Sequence, residues 1–433
     1  MIQGIVWPPL SASARDILAA LRATEGLTNG QLRAGQLSQL RVLAAHAKEQ
    51  TRWGSRHLPR DLSWEAFEAL PVLDRRFVQS HEADLRSKQL PGGHGPVKDY
   101  ATSGSTGTPV RVSKSALAMA VWQAVTARDH QWNQRDLTLT AANIRRAPGY
   151  GYPGLDSPSW GEAAAMLGGN GRARLLDITA GAEQQVAWLD EEDFGYLMTF
   201  PSNLSELLRV CEEKGRRWSA LRQVRTLSEP VTDELRARCR EILGVEIVDA
   251  YSSQELGYIA LQRPDGTGYY AMSDTHVVEV LADDGRPCSP GEVGRVVVTP
   301  LHNFAMPLFR YDVGDLALVG EPGRLPYLVI ERVFGRVRNL LLAPDGSRSW
   351  PALGAQGLTR IVPVVQHQFV QVARDLIDVR LAVRRPVTDA EEQVMRAYLT
   401  ARFPPGLRFG FSYMDHISRG PHGKFEDFIC DVK

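Results

Sequence analysis

The chain of 433 residues predicts an α/β protein, with a large N-terminal domain over 1–335 and a small α+β domain over 336–433. Three observations predict it. Apolar runs at 137–144, 172–178, 195–200, 223–228 and 245–251 alternate with helical or loop segments, the signature of βαβ units and a largely parallel sheet. After Tyr270, short strands follow one another with turn residues between them, which reads as antiparallel. Beyond Gly335 the pattern changes again, to strand, strand, helix, strand.

Each element has its own signal. Leu37, Leu40, Leu43, Ala44 and Ala47 recur at three- and four-residue spacings, so the N-terminal region reads as helical scaffold. Ser202 or Asn203 is placed to cap a helix carrying Leu204, Leu207, Leu208 and Cys211. Thr232 caps a second, with Leu235, Cys239, Ile242 and Leu243 on its apolar face and Gly244 at its end. HVVEVL, the Asp284-Gly285 turn, GRVVVT and the stretch from Phe309 to Val319 make the antiparallel part. In the small domain QHQFVQV and the alternation of Ile377, Val379, Leu381 and Val383 predict two strands. Thr388 and Glu391 form a capping-box pair before a helix whose apolar face is Val394, Met395, Tyr398 and Leu399.

Fifty Lys+Arg balance fifty Asp+Glu, which removes the global electrostatic reason to expect a nucleic-acid partner. A composition of 43% hydrophobic and 23% charged residues excludes disorder or a fibrous repeat. The four cysteines lack CxxC spacing, so neither a disulfide framework nor a zinc cluster is indicated. Apolar stretches fall far below the ~20 residues of a membrane span, and MIQGIVWPPL lacks a basic region ahead of an apolar one. The expectation is a soluble, cytoplasmic protein.

The most unusual segment is Tyr100-Ala101-Thr102-Ser103-Gly104-Ser105-Thr106-Gly107-Thr108-Pro109. Glycines permit tight turns, free N–H groups form an anion-binding nest, and hydroxyls add donors to phosphate oxygens. It is not a Walker loop, because no Gly-Lys-Ser/Thr follows at the required spacing. Composition alone fits a solvated linker as well.

Ser103-Gly104-Ser105-Thr106-Gly107-Thr108-Pro109 resembles the phosphate-binding signature of the adenylate-forming superfamily of acyl-CoA synthetases. Further segments resemble that superfamily's motifs in the same order: Tyr251-Ser252-Ser253-Gln254-Glu255, Arg310-Tyr311-Asp312-Val313-Gly314-Asp315, the hinge Gly335-Arg336, and Gly423-Lys424. Phe200-Pro201-Ser202, Ser228-Glu229-Pro230 and Met306-Pro307-Leu308-Phe309 are most similar to the phenylacetate-CoA ligase branch.

The resemblance implies activation of a carboxylic acid, aryl or arylacetic, by ATP and Mg²⁺ to an acyl-AMP, with CoA or an amine as acceptor. Thr102 through Gly107 would hold phosphate; Ser228, Glu229, Asp249, Ala250, Tyr251 and Ser252 would line the nucleotide, with Tyr251 along adenine. Asp315 would take the ribose hydroxyls, Glu255 the Mg²⁺, and Arg336 ribose or phosphate. Lys424 would meet the carboxylate and α-phosphate during adenylation, carried by a mobile C-terminal lid. The segment from Asn143 to Gly154 is similar to the branch's acid pocket, giving Arg145, Tyr150, Gly151 and Tyr152 as lining, joined by Trp160, Phe200 and Pro201.

Three positions depart from the pattern: Val110 stands where the wider superfamily has a loop lysine, Gln254 where it has threonine, and Val337-Arg338-Asn339 where acidic residues follow Gly-Arg. Arg332, Arg336, Arg338 and Arg348 gather in sequence near the domain seam, as phosphates of CoA would require; a solvated basic stretch is the plainer alternative. An amide-forming ligase, a degenerate scaffold and a homodimer are further expectations of the same sequence.

Overall fold

The computed structural model describes residues 2–10, 13–101, 109–336, 340–349, 355–419 and 425–432. Two compact units divide the chain, Met1–Val333 and Phe334–Lys433. The strands of the first are β1 (Val97–Ala101), β2 (Arg111–Ser115), β3 (Ala141–Arg145), β4 (Leu155–Ser157), β5 (Ala173–Asp177), β6 (Tyr196–Thr199), β7 (Gln223–Leu227), β8 (Glu246–Ser253), β9 (Gly257–Gln262), β10 (Tyr269–Ala271), β11 (His276–Leu281), β12 (Val293–Pro300), β13 (Tyr311–Val319) and β14 (Val329–Arg336), which runs across the division. β1 and β2 form a separate hairpin; the other twelve make one sheet in the order β11-β12-β13-β14-β10-β9-β8-β7-β6-β3-β5-β4.

Strands β5, β3, β6, β7 and β8 are mutually parallel, and they are the five apolar runs of the sequence. Parallel neighbours need crossover connections, and helices supply them between β5, β6, β7 and β8. Ile144, Leu176, Leu197, Val224 and Ile247 of the strands share one core with Leu204, Leu208, Leu235 and Cys239 of the helices Pro201–Lys214 and Asp233–Leu243. Each such side chain contributes about 1.5–3 kcal/mol on burial. β11, β12 and β13 are antiparallel neighbours, as their turns require.

Thr232 caps its helix by accepting from Leu235 N, and Gly244 ends it with φ 74°, a conformation that favours glycine. The helix Pro201–Lys214 differs from expectation. Neither Ser202 nor Asn203 caps it; it starts at Pro201, whose missing N–H suits a first turn. Glu229 Oε2 accepts from Ser202 N at 2.9 Å, while Asn203 turns inward to Gln185 and Thr199.

The helix Ala116–Trp132 is pinned to the segment between β10 and β11 by a buried ion pair, Arg128 Nη2 to Asp274 Oδ2 at 2.6 Å. Arg128 also donates to Leu21 O, and Thr24 and Tyr327 donate to Asp274.

In the second unit, strands Arg408–Met414, Leu376–Val383, Val364–Ala373 and Phe428–Cys430 form a sheet in that order. The helix Asp389–Thr400 has the predicted Thr388–Glu391 capping box. Its Met395 and Leu399 pack on Phe369, Ile377 and Leu381, whereas Val394, expected on that face, is exposed. Among the described residues, no helix is long and apolar enough to cross a membrane.

Candidate active site

In open α/β sheets, ligands bind beyond the carboxyl ends of the parallel strands. Here β8 ends in Tyr251-Ser252-Ser253, and the turn to β9 presents Glu255. Tyr251 Oη donates to Asp315 Oδ2 at 2.7 Å, joining two predicted nucleotide residues that three strands separate in the sheet order. Ala250 is buried beside them, and Ser252 is half-buried. Ser228 closes β7 with φ 72°, a strained conformation for a residue with a Cβ and one that gathers at functional sites.

Asp249 requires a correction. Its carboxylate is used inside the protein: Oδ1 accepts from Thr226 and Oδ2 from Tyr269, at 2.8 and 2.7 Å. Burial pushes its pKa up, against those hydrogen bonds. Its backbone alone remains for a nucleotide. Glu229 is likewise engaged at the start of the Pro201–Lys214 helix, where a negative charge meets the positive end of the helix dipole.

Glu255 is 6% exposed. Its Oε1 lies 3.4 Å from Arg75 Nη1 and 3.5 Å from Tyr311 Oη. No group of three or more His, Cys, Asp or Glu able to hold a metal exists among the described residues. The donor set therefore fits Mg²⁺ held by one carboxylate together with phosphate oxygens and water, its usual mode, and does not fit a dedicated protein cage.

The sequence reading missed a cavity beside Glu255. It is about 30 Å³ and is lined by Lys114, Trp122, Glu255, Tyr258, His302 and Asn303 among others. Lys114, on β2, is 4% exposed. Its Nζ stands 4.3 Å from the centre of the Trp122 ring and 5.8 Å from that of Tyr100. Burial pulls its pKa down to about 7, with Glu255 opposing. Tyr258 is held by Arg225, which in turn pairs with the buried Asp129. Val110, where the superfamily places a lysine, is fully buried in the core. Lys114 was legible only as one residue of an alternating RVSKS strand; its burial comes from the helix and loops packed on it.

The predicted acid pocket divides. Arg145 ends β3, and Tyr150, Gly151 and Tyr152 follow it on the surface, with Tyr152 donating to Glu191. Phe200 and Pro201 are buried, Phe200 in the core between sheet and helices. Trp160 is not at this end of the sheet: its indole donates to Leu139 O and packs on Tyr196, before β3 and at the start of β6. It supports the opposite ends of the strands.

Thr102, Ser103, Gly104, Ser105, Thr106, Gly107 and Lys424 lie outside the described residues, as do Val337, Arg338 and Asn339. Ala101 and Arg111 are paired across the hairpin, so the two ends of the 102–110 segment are held together. Arg336 ends β14, but its side chain and that of Arg348 are not among those described. Arg332 is paired with Asp233 at 3.0 Å.

The fold is that of the adenylate-forming ligases. A 2-hydroxyisobutyryl-CoA ligase structure in the postadenylation state, in complex with 2-HIB-AMP, superposes with a TM-score of 0.74 at 19% identity, covering 95% of this chain and 92% of the other. An anthranilate CoA ligase in complex with anthranoyl-AMP gives 0.58 at 15% identity, over 76% and 64%. No family model matches the chain. In sequence the chain is similar to phenylacetate-coenzyme A ligases: it is 27% identical to that of Thermus thermophilus over 81% of this chain and 80% of that one. The Escherichia coli enzyme of the same name is 23% identical over 80% and 83%.

Proposed function

We propose that the chain is an ATP-dependent, AMP-forming carboxylic acid–CoA ligase. The observation that carries this is the convergence of Tyr251, Asp315 and Glu255 at the end of β8, in a chain similar over most of its length to phenylacetate-CoA ligases.

In the first half-reaction a carboxylate oxygen of the acid attacks the α-phosphorus of ATP, the bond to the β-phosphate breaks and pyrophosphate leaves. Asp315 accepts from the ribose hydroxyls while Tyr251 holds its other side and offers its ring to adenine. Glu255 supplies the protein ligand to Mg²⁺, which neutralises phosphate charge when bound. The hydroxyls and amides of Thr102 to Gly107 hold the phosphates, and Lys424 and Arg336 bring positive charge to the reacting groups. In the second half-reaction the CoA thiol, losing its proton, attacks the acyl carbonyl and AMP leaves. The acid is aryl or arylacetic, entering past Tyr150 and Tyr152.

The test is pyrophosphate release with a panel of aromatic acids, followed by mass detection of the thioester. Release with an acid and consumption of the CoA thiol supports the reading. Release without thiol consumption, with an added amine acylated, reassigns the acceptor. No release with any acid removes the reading.

A further inference from the structure

The cavity beside Glu255 contains polar atoms that the protein leaves unmatched. Among the described residues, Lys114 Nζ has neither a hydrogen bond nor an ion pair; it lies over two aromatic faces and feels the charge of Glu255. Asn303 turns both amide hydrogens to carbonyls, Ser113 O at 3.0 Å and Met306 O at 3.3 Å, which leaves its Oδ1 buried without a partner. His302 directs Nε2 to Trp7 O at 3.3 Å, so that nitrogen carries the hydrogen and the unpartnered Nδ1 is an acceptor.

Lys114 is a donor, and Asn303 and His302 each carry an unpartnered acceptor; residues of both kinds line one cavity, a set that suits a group able both to accept and to donate. A hydroxyl does both. A second carboxylate does not, because it would accept from Lys114 but face Glu255, Asn303 Oδ1 and His302 Nδ1 with like polarity. An alkyl or halogen substituent would leave every one of these atoms unmatched. The cavity, at about 30 Å³, has room for a substituent.

Building on the function proposed above, we propose that this cavity receives a hydroxyl of the acid, that Lys114 and Asn303 select it, and that the preferred substrate is a hydroxy acid in place of its unsubstituted parent. Trp122 and Tyr258 form the flat walls that lead to it, and the Asp129–Arg225–Tyr258 chain fixes one wall. Gly257 adjoins the cavity with φ 94°, and a Cβ there would lie 3.6 Å from the Trp122 ring, so the wall forms around a residue without a side chain.

The experiment compares phenylacetate with its 2-, 3- and 4-hydroxy derivatives, and benzoate with its hydroxy derivatives, by pyrophosphate release. The wild-type protein should prefer one hydroxy isomer over its parent by about 100-fold or more in kcat/KM, because a site built to bond a hydroxyl rejects the analogue lacking it. Lys114→Met and Asn303→Leu should each reduce that ratio to about 10-fold or less. Parent and hydroxy acids turned over equally by the wild type would overturn the proposal and leave the proposed function intact.

If no acid releases pyrophosphate, the proposed function fails, and the pocket is still read by calorimetric titration of the same acid pairs: tighter binding of a hydroxy acid that Lys114→Met abolishes supports the site, and equal binding of the pair removes it. Thermal unfolding separates a merely structural lysine. An unmatched buried cation is replaced by methionine with a rise in Tm; a fall in Tm would identify Lys114 as a structural partner of Glu255.

Discussion

Arg128 and Lys114 are both buried basic side chains, one in the helix Ala116–Trp132 and the other in the strand that leads into it. Their surroundings are opposite. Arg128 is met by Asp274, Leu21 O and Glu25. Burial pushes the Asp274 carboxyl up, and the guanidinium outweighs this and holds it below its ordinary value. Lys114 has a cavity in front of it and aromatic rings at its sides. A charge placed to hold a fold is met by the fold. One left without a hydrogen bond or ion pair within a cavity, as Lys114 is among the described residues, is available to something that arrives later.

The largest effect should come from breaking the matched pair. Arg128→Met leaves Asp274 buried and uncompensated, and urea unfolding should show a loss of about 3–5 kcal/mol. The same replacement at Lys114 should stabilise. Opposite signs for one substitution at two buried cations is the strongest form of the comparison; a loss at both sites breaks it.

The cavity also differs in its response to acid. His276 and His302 line it, and burial lowers both to about 4, with the charge of Lys114 adding to the effect at His276. Unfolded histidine titrates near ~6.5. Below that pH the unfolded chain binds protons that the folded one refuses, so these two residues should cost stability progressively as pH falls from ~6.5 to about 4. Urea midpoints across that window check it: the His276→Gln/His302→Gln double variant, which cannot protonate, should lose less on acidification than the wild type. An unchanged slope breaks the assignment.

How much of this was legible in the sequence depended on how local the cause was. The five parallel strands were readable because short apolar runs recur between helical segments. Thr232, Gly244 and the Thr388–Glu391 box were readable because caps are made within four residues. The Pro201 helix was misread by one turn because its cap is Glu229, from the next strand's loop. Asp249 reads as a ligand residue in its motif, but Thr226 and Tyr269, from other strands, consume its oxygens. Trp160 follows a glycine-rich pocket segment in sequence and packs at the far end of the sheet in space. Lys114 is the extreme case, since nothing adjacent to it in sequence predicts its burial.

A third cation sharpens the distinction through kinetics. Lys424, if it acts only while the anhydride forms, should lower acyl-AMP formation by roughly 100-fold when changed to alanine. Thioester formation from supplied acyl-AMP should survive. Rapid-quench measurement of each half-reaction checks this; equal losses in both would remove the role of a charge engaged in one step and would argue against a rotating lid.

The smallest effects should come from the Tyr251–Asp315 pair, where a hydrogen bond stands between the two residues proposed to hold the nucleotide. Asp315→Ala removes the acceptor for the ribose hydroxyls and should weaken ATP binding by roughly tenfold, the worth of a hydrogen bond to a charged group. Tyr251→Phe keeps the ring and the carboxylate and removes one donor to Oδ2, which lies 2.7 Å away. The carboxylate is then less fixed but freer to accept from ribose, two consequences that partly offset one another. Calorimetry should therefore find ATP affinity in Tyr251→Phe within about threefold of the wild type, at the low end of the ~0.5–1.5 kcal/mol of a whole hydrogen bond. A loss as large as that of Asp315→Ala would mean that Tyr251 acts by orienting Asp315 and not through its ring, and that this bond, like Arg128–Asp274, belongs to the fold before it belongs to the site.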